Sequence, residues 1–232
     1  MKKLRHETTC RSVDASSRYI ARLIQEGEHQ QLDFKFEIAD APKIAKTLVA
    51  FANTDGGRLL IGVKDNGVLA GVRSEEEFYM VESAARMFCK PPVDFSFKEW
   101  NLGKKTILEI IILKSARRPH FALQKDGAWI AYHRVKDQNF VVNRILMRIW
   151  KNEDAPRGVY LRFTEAEKFL LGYLENHDSI TVSKFIRLAG VSRNKAESTL
   201  VKFILLKILL MNFTENQTFF TLNPEAKFSE ND

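Results

Sequence analysis

The sequence predicts an α+β protein in two parts, a larger mixed-sheet domain followed by a smaller domain of three helices and a hairpin. Three observations predict it. A helix-like stretch with an early Pro, residues 40–52, sits between two strand-like runs. The apolar run Arg58–Val63 leads straight into Asp65-Asn66-Gly67. Beyond Pro156 the pattern changes to short amphipathic helices separated by polar turns.

In chain order, Tyr19, Ile20, Leu23 and Ile24 form the apolar stripe of a first helix, residues 18–25, which Gly27 ends. Leu32, Phe34 and Phe36 alternate with Asp33 and Lys35, the period of a half-buried strand. Asp40 is placed to cap the next helix, where Pro42 falls in the first turn and costs no hydrogen bond, and Ile44, Leu48, Phe51 and Ala52 make its buried face. Gly56-Gly57 breaks that helix. Residues 58–63 then read as a strand buried on both faces, at the centre of a sheet. Asp65-Asn66-Gly67 predicts a tight hairpin returning over 68–72, because Asn and Gly tolerate positive φ. A helix over 74–89 is stopped by Pro91-Pro92. Strands are expected at 93–100, 106–113 and 128–135, with turns at 101–105 and Asp126-Gly127, and a closing helix at 140–150.

The stretch 152–158 loses periodicity and gains Pro and Gly, which sets the expected divisions at 1–17 (an N-terminal extension), 18–155 and 156–232. In the last part, Thr164-x-x-Glu167 is a capping box that opens a helix, a second helix runs from 182 to 189, and Ser192 caps a third. Residues 209–213 and 219–222 can pair around Glu215-Asn216-Gln217. Three helices and a hairpin predict a winged helix-turn-helix.

A chain of 232 residues with 45% hydrophobic and 28% charged side chains lies in the globular range, and it contains no apolar run long enough to span a bilayer. Its basic start lacks the apolar core of a secretory signal, so a cytoplasmic protein without a membrane partner is expected. Cys10 and Cys89 lack metal-ligand spacing and read as free thiols. The net charge of +7 is uneven: residues 101–150 hold ten basic and three acidic side chains, whereas 151–232 are balanced at 11 each. That field favours a polyanionic partner, although a solvated basic surface would give the same count.

Four blocks in order carry a resemblance: Glu28 to Lys35, resembling E-x4-E-F-K; Ala50 to Gly57, resembling A-F-A-N-T-x-G-G; Leu60 to Gly67, resembling L-x-I-G-V-x-D; and Arg134-Val135 in a late I-R-V-like segment. On these blocks, residues from about 28 to 137 resemble the AlbA-like domain of the Schlafen type. The resemblance implies nucleic-acid binding, as in bacterial regulators, with DNA favoured and RNA possible, and a possible homodimer. It also implies an alternative. In nuclease members of the family three acids form a metal-dependent RNA-cleaving site, and the matching positions are Glu28, Asp33 and Asp65. These would hold Mg²⁺ or Mn²⁺. Asp33 departs from the family's Glu and shortens that arm, and Glu28 must lie in a turn before the strand for the acids to share a face. No resident cofactor is expected otherwise, and no Walker-type loop is present. A protein-interaction adaptor is a third reading.

The competing structural roles are plain for each group. Asp33 and Lys35 share a strand face and can pair, Asp65 occupies a turn position that favours Asp, and Phe121, Trp129 and Tyr132 suit sheet packing as well as base stacking. The candidate phosphate contacts are Lys114, Arg117, Arg118, Arg134, Lys136, Arg144 and Arg148. In the presumed recognition helix they are Arg193, Asn194, Lys195, Ser198 and Lys202. That second domain is net neutral and its hairpin has no Lys or Arg, which leaves groove binding and protein contact both open.

Overall fold

A computed structural model describes residues 13–72, 76–153 and 163–226. The expected N-terminal extension up to residue 12, with Cys10, the helix start at Ser74 and the linker residues 154–158 lie outside them. The chain divides between Val142 and Asn143 into two compact units, and the architecture is α+β.

The first unit holds α1 (Val13–Glu26), β1 (Leu32–Lys35), α2 (Ala41–Asn53), β2 (Gly57–Ile61), α3 (Glu76–Met87), β3 (Cys89–Lys90), β4 (Phe95–Leu102), β5 (Lys105–Ile112), β6 (Phe121–Leu123), β7 (Trp129–Ile130), β8 (Tyr132–Val135) and β9 (Gln138–Val141). Its main sheet has the order β1-β2-β5-β4. The β1–β2 pair, joined through α2, is parallel and the others are antiparallel, so the sheet is mixed as expected. Leu59, Leu60 and Ile61 are fully buried because both faces of β2 are covered. Leu59 and Ile61 pack with α2 and α3, whereas Leu60 joins Ile20, Leu23, Leu32 and Phe34 on the α1 side. The α2 cap is the one expected: the Asp40 side chain accepts from the Lys43 backbone N–H and Pro42 sits in the first turn. On the α1 side Glu109 is fully buried, and it accepts from Tyr19 Oη (2.8 Å) and Trp100 Nε1 (2.9 Å) and pairs with Arg58 (3.3 Å). Burial and that carboxylate push the Tyr19 hydroxyl up to about 12.

Several elements depart from the sequence expectation. The return after Asn66-Gly67 is a single bridge, Val63 to Leu69, because Ala70 and Gly71 both bond back to the carbonyl of Gly62. The run 128–135 is not one strand but two. Its first half pairs with β6 and its second with β9. Phe140 lies in β9 and not in a closing helix. Cys89 is a buried free thiol, raised by burial to about 12. Among the described residues no helix is long and apolar enough to cross a membrane.

The second unit holds α4 (Arg144–Asn152), α5 (Glu165–Glu175), α6 (Val182–Ala189), α7 (Arg193–Leu205) and the antiparallel hairpin β10 (Leu209–Phe213) and β11 (Thr218–Leu222). The capping box at Thr164–Glu167 forms, and Ser192 caps α7. The structure draws the division earlier than the composition shift at 152–158. Ile145 and Ile149 of α4 are buried in the second core beside Leu170, Leu200 and Phe203, so α4 belongs there.

Candidate nucleic-acid interface

The segment after α2 is a hub. The Thr54 hydroxyl donates back to the Ala50 carbonyl (2.8 Å) and accepts from the Arg134 backbone N–H (2.9 Å). Gly56 has φ +72 and approaches β5 so closely that an added Cβ would stand 2.7 Å from the Ile112 carbonyl oxygen. At Gly57 a Cβ would meet the Phe51 ring at 2.5 Å. Both positions therefore need Gly, one for its conformation as well as its bulk, the other for bulk alone. Asn53 is the last residue of α2, but its side chain does not serve that helix. It is fully buried and reaches across to β8 and to the residue before β6, donating to His120 O (2.9 Å) and Tyr132 O (2.8 Å) while accepting from His120 N (2.7 Å).

Around this hub two basic segments meet. The Arg118 guanidinium donates to Asn53 O (3.2 Å), and Lys114 Nζ stands 3.9 Å from Asp55. Gln30 donates to Asp55 and to Arg134 O and accepts from Lys136 N (2.7 Å), which brings the tip of the β8–β9 hairpin to the same rim. Lys114, Arg117 and Lys136 are exposed there. Arg117 also pairs with Asp94 at 3.1 Å, with both side chains largely in solvent, where such a pair is readily exchanged for another anion.

Arg134 corrects the expectation that it contacts phosphate. Its side chain is 1% exposed and is the largest fully buried one. It donates to Asp33 Oδ1 (2.9 Å), Leu32 O (3.3 Å), Lys136 O (3.2 Å) and Asn139 Oδ1 (3.2 Å), and its guanidinium lies 5.1 Å from the centre of the Phe51 ring. The charge that looks available in sequence is consumed in tying β1 to β8 and β9. Of the aromatics, Tyr132 is buried in the core and Trp129 is half covered by Lys90.

The structure brings two of the three acids together. Glu28 lies in the turn before β1, as their common face requires. One of its oxygens accepts from Phe34 N (2.8 Å), and its carboxyl feels the neighbouring charge of Asp33. Asp33 is buried and also faces Lys35 Nζ at 2.8 Å, the same-face pairing anticipated from the strand. Asp65 stands exposed in the turn beyond β2. No three His, Cys, Asp or Glu side chains among the described residues converge where a metal ion could sit. With Asp33 turned onto Arg134 and Lys35 and Asp65 standing apart in its exposed turn, these residues do not fit a three-carboxylate Mg²⁺ or Mn²⁺ site.

Burial, with the Asp33 charge beside it, raises the Glu28 carboxyl above its ordinary range, although the bond from Phe34 N opposes this. A raised acid stabilises the fold below its unfolded value and loses that contribution as pH climbs through the raised one. Glu28→Gln keeps the acceptor for Phe34 and can donate to Asp33. It should melt above wild type at pH 8 and show no such gain at pH 4. Equal shifts at both pH values in thermal denaturation would contradict this.

In the second unit the candidate cations separate into two groups. Arg193 and Lys195 are exposed at the start of α7. Lys202 is instead bonded to Glu167 (2.9 Å), which, despite burial pulling it up, is held below its ordinary range by the Thr164 N–H and this ammonium. Arg144 and Arg148 of α4 face the buried Glu197 at 3.9 and 3.8 Å, and Arg148 donates to Ser198 (2.8 Å). The flank of α7 expected to be open is thus covered by α4, and Val201 is buried on the same side of the helix. No periodicity within α7 could reveal a helix packed onto its polar side.

Residues 28–143, half the chain, match the family described as Schlafen, AlbA_2. The chain belongs to the Schlafen AlbA_2 family. Among solved structures it is similar to the DIP2311 protein from Corynebacterium diphtheriae, at 20% identity and a TM-score of 0.43 over 63% of this chain and 29% of that one. It is also similar to the N-terminal domain of a RecG-related protein from Nitrosomonas europaea, at 18% identity and a TM-score of 0.37 over 67% of this chain and 98% of that one. No curated protein matches. The chain spans less than a third of the DIP2311 structure. The family blocks are the hub just described. Ala50–Gly57 knits the unit together, Asp33 and Arg134 are its buried charges, and Glu28 lies half-buried beside them. Membership of the Schlafen AlbA_2 family points to a nucleic-acid-related role.

Proposed function

We propose that this Schlafen AlbA_2 protein binds nucleic acid, with duplex DNA the favoured partner, and acts as a cytoplasmic transcriptional regulator. One observation carries the reading: Lys114, Arg118 and Lys136, from two segments distant in sequence, meet on the rim of the family's signature loop, with Arg117 exposed beside Arg118. Cations on adjacent short loops can follow a phosphate backbone without reading bases, so affinity would come mainly from counterion release. The order α5, α6, α7, β10, β11 supports a winged-helix reading of the second unit. Its contribution would come from Arg193, Asn194 and Lys195 at the open start of α7, because α4 occupies the flank beside Glu197 and Ser198. A second copy of the chain would double the rim and suit a two-fold operator.

The test is a binding titration against duplex DNA and tRNA at several salt concentrations. On duplex DNA each phosphate that the protein neutralises adds about 0.9 to the slope of log affinity against log salt, so the triple variant Lys114→Ala, Arg117→Ala, Lys136→Ala should flatten that slope by roughly 2.7. Arg118 is left in place because it also supports Asn53. No binding at low salt, or the wild-type slope in the triple variant, would remove the reading. Preference for tRNA would move the partner from DNA to RNA.

A further inference from the structure

Away from the acid pair, a cavity of about 420 Å³ opens in the first unit between the start of β4 and the end of β5. Val93, Phe95, Ile111 and Leu113 form its apolar wall, Lys114 and Arg117 bring positive charge to it, and Asp94, paired with Arg117 at 3.1 Å, brings one negative charge. Ser115 and His120 also line it. Ser115 is half-buried, His120 is buried, and the Ser115 Oγ lies 2.7 Å from His120 Nε2. The other ring nitrogen, Nδ1, lies 2.9 Å from the carbonyl oxygen of Pro91.

That carbonyl decides the tautomer. A carbonyl oxygen can only accept, so Nδ1 must carry the proton, and in a neutral ring Nε2 is then bare. The Ser115 hydroxyl must therefore donate to Nε2, with a lone pair of the same oxygen taken by the Arg117 backbone N–H (3.0 Å). Burial lowers the imidazole below its ordinary value, which keeps it neutral and available as a base at pH 7. The backbone of His120 is pinned on both sides by Asn53, and Ser115 N bonds to Ala52 O (2.8 Å), so the signature block Ala50–Gly57 fixes both partners. A hydroxyl, a base within hydrogen-bond reach and a third group orienting that base make the constellation of an activated nucleophile.

We propose that Ser115 is a nucleophile, with His120 as its general base and the Pro91 carbonyl as the orienting group, and that it acts on small carboxylic esters with an apolar acyl part and an anionic leaving group. The Oγ forms a bond to the acyl carbon while its proton passes to His120 Nε2. The bond from that carbon to the leaving oxygen then breaks, and His120 returns the proton to the departing alkoxide. Water, its proton taken by His120, releases the acid and restores the Ser115 hydroxyl. The apolar wall suits the acyl chain, and Lys114, together with the solvent-exposed Arg117 that can exchange Asp94 for another anion, favours the anionic group and the negative charge that develops on the ester. The nucleic-acid reading is not needed for this one.

An alkyl fluorophosphonate probe tests it on the full chain, with the adduct mapped by mass spectrometry. Wild type should carry one adduct on Ser115, Ser115→Ala none, and His120→Gln should label at least about 100-fold more slowly. Because His120→Gln can disturb the fold, the wild-type pH profile provides a second measurement. Labelling should hold its full rate at pH 7 and fall only as acid protonates His120 below its ordinary range, a dependence that a purely structural serine would not show. Hydrolysis of p-nitrophenyl butyrate should follow the same profile. No adduct on Ser115, or labelling that is unchanged from pH 8 to pH 4, overturns the proposal.

Discussion

Arg134→Ala should be the most damaging single substitution in the first unit, lowering its stability by about 3–5 kcal/mol, the scale for removing one partner of a buried ion pair. The loss does not measure the worth of the Arg134–Asp33 bond itself. It reflects what is left behind: Asp33, 4% exposed and already beside Glu28, loses its strongest counter-charge, and the carbonyls of Leu32 and Lys136 lose donors. The cavity under Phe51 adds to it. A double variant, Arg134→Met with Asp33→Leu, removes both charges together and should recover roughly 1–3 kcal/mol relative to the sum of the single losses. Denaturant melts of the four proteins measure the cycle. Strict additivity would show that the two side chains act independently, against the geometry.

Asn53→Ala ranks second, with an expected loss of about 3 kcal/mol. One side chain here satisfies three backbone groups of two distant residues, His120 and Tyr132, at 2.7, 2.8 and 2.9 Å in a fully buried position, and truncation to a methyl removes all three bonds. Each buried group left unpaired costs roughly 1–3 kcal/mol. Asn53→Asp should be nearly as harmful, because it retains the acceptor for His120 N but loses the donor to both carbonyls. Since the same residue holds the backbone of His120, the two variants should also slow fluorophosphonate labelling at Ser115 at temperatures where they remain folded. Circular dichroism melts together with labelling separate the two effects. An Asn53→Ala protein as stable as wild type would show that the hub is dispensable.

Much of the local structure was legible because it depends on near neighbours. The Asp40 cap, the Thr164–Glu167 box, the break at Gly56-Gly57 and the double burial of β2 all follow from spacing within a few residues. So does the pairing of Asp33 with Lys35, two residues apart on one strand face. The misses share a different cause. Nothing around Ala131 marks the point where a strand leaves one sheet for another, since β6 and β9 compete for it from either side. Helix α4 reads as the end of the first unit, yet its Ile145 and Ile149 find their cavity in the second. Glu109 sits in an apolar run where a carboxylate is unexpected, and its three partners come from α1, β2 and β4.

The candidate site divides along the same line. By itself the sequence determined the α+β class, the family and the side chains around which any activity must be built, because motif blocks and periodicity are properties of neighbouring residues. Only the tertiary structure decided which charges remain available. Arg134 and Arg118 stand on segments equally basic in sequence, but one is sealed under Phe51 with Asp33 and the other belongs to the rim. Asp33 and Asp65 are both acids of the family pattern, but one is bound inside and the other stands in solvent. A charge takes its role from the dielectric and the partners around it, and those partners are supplied by strands a hundred residues away.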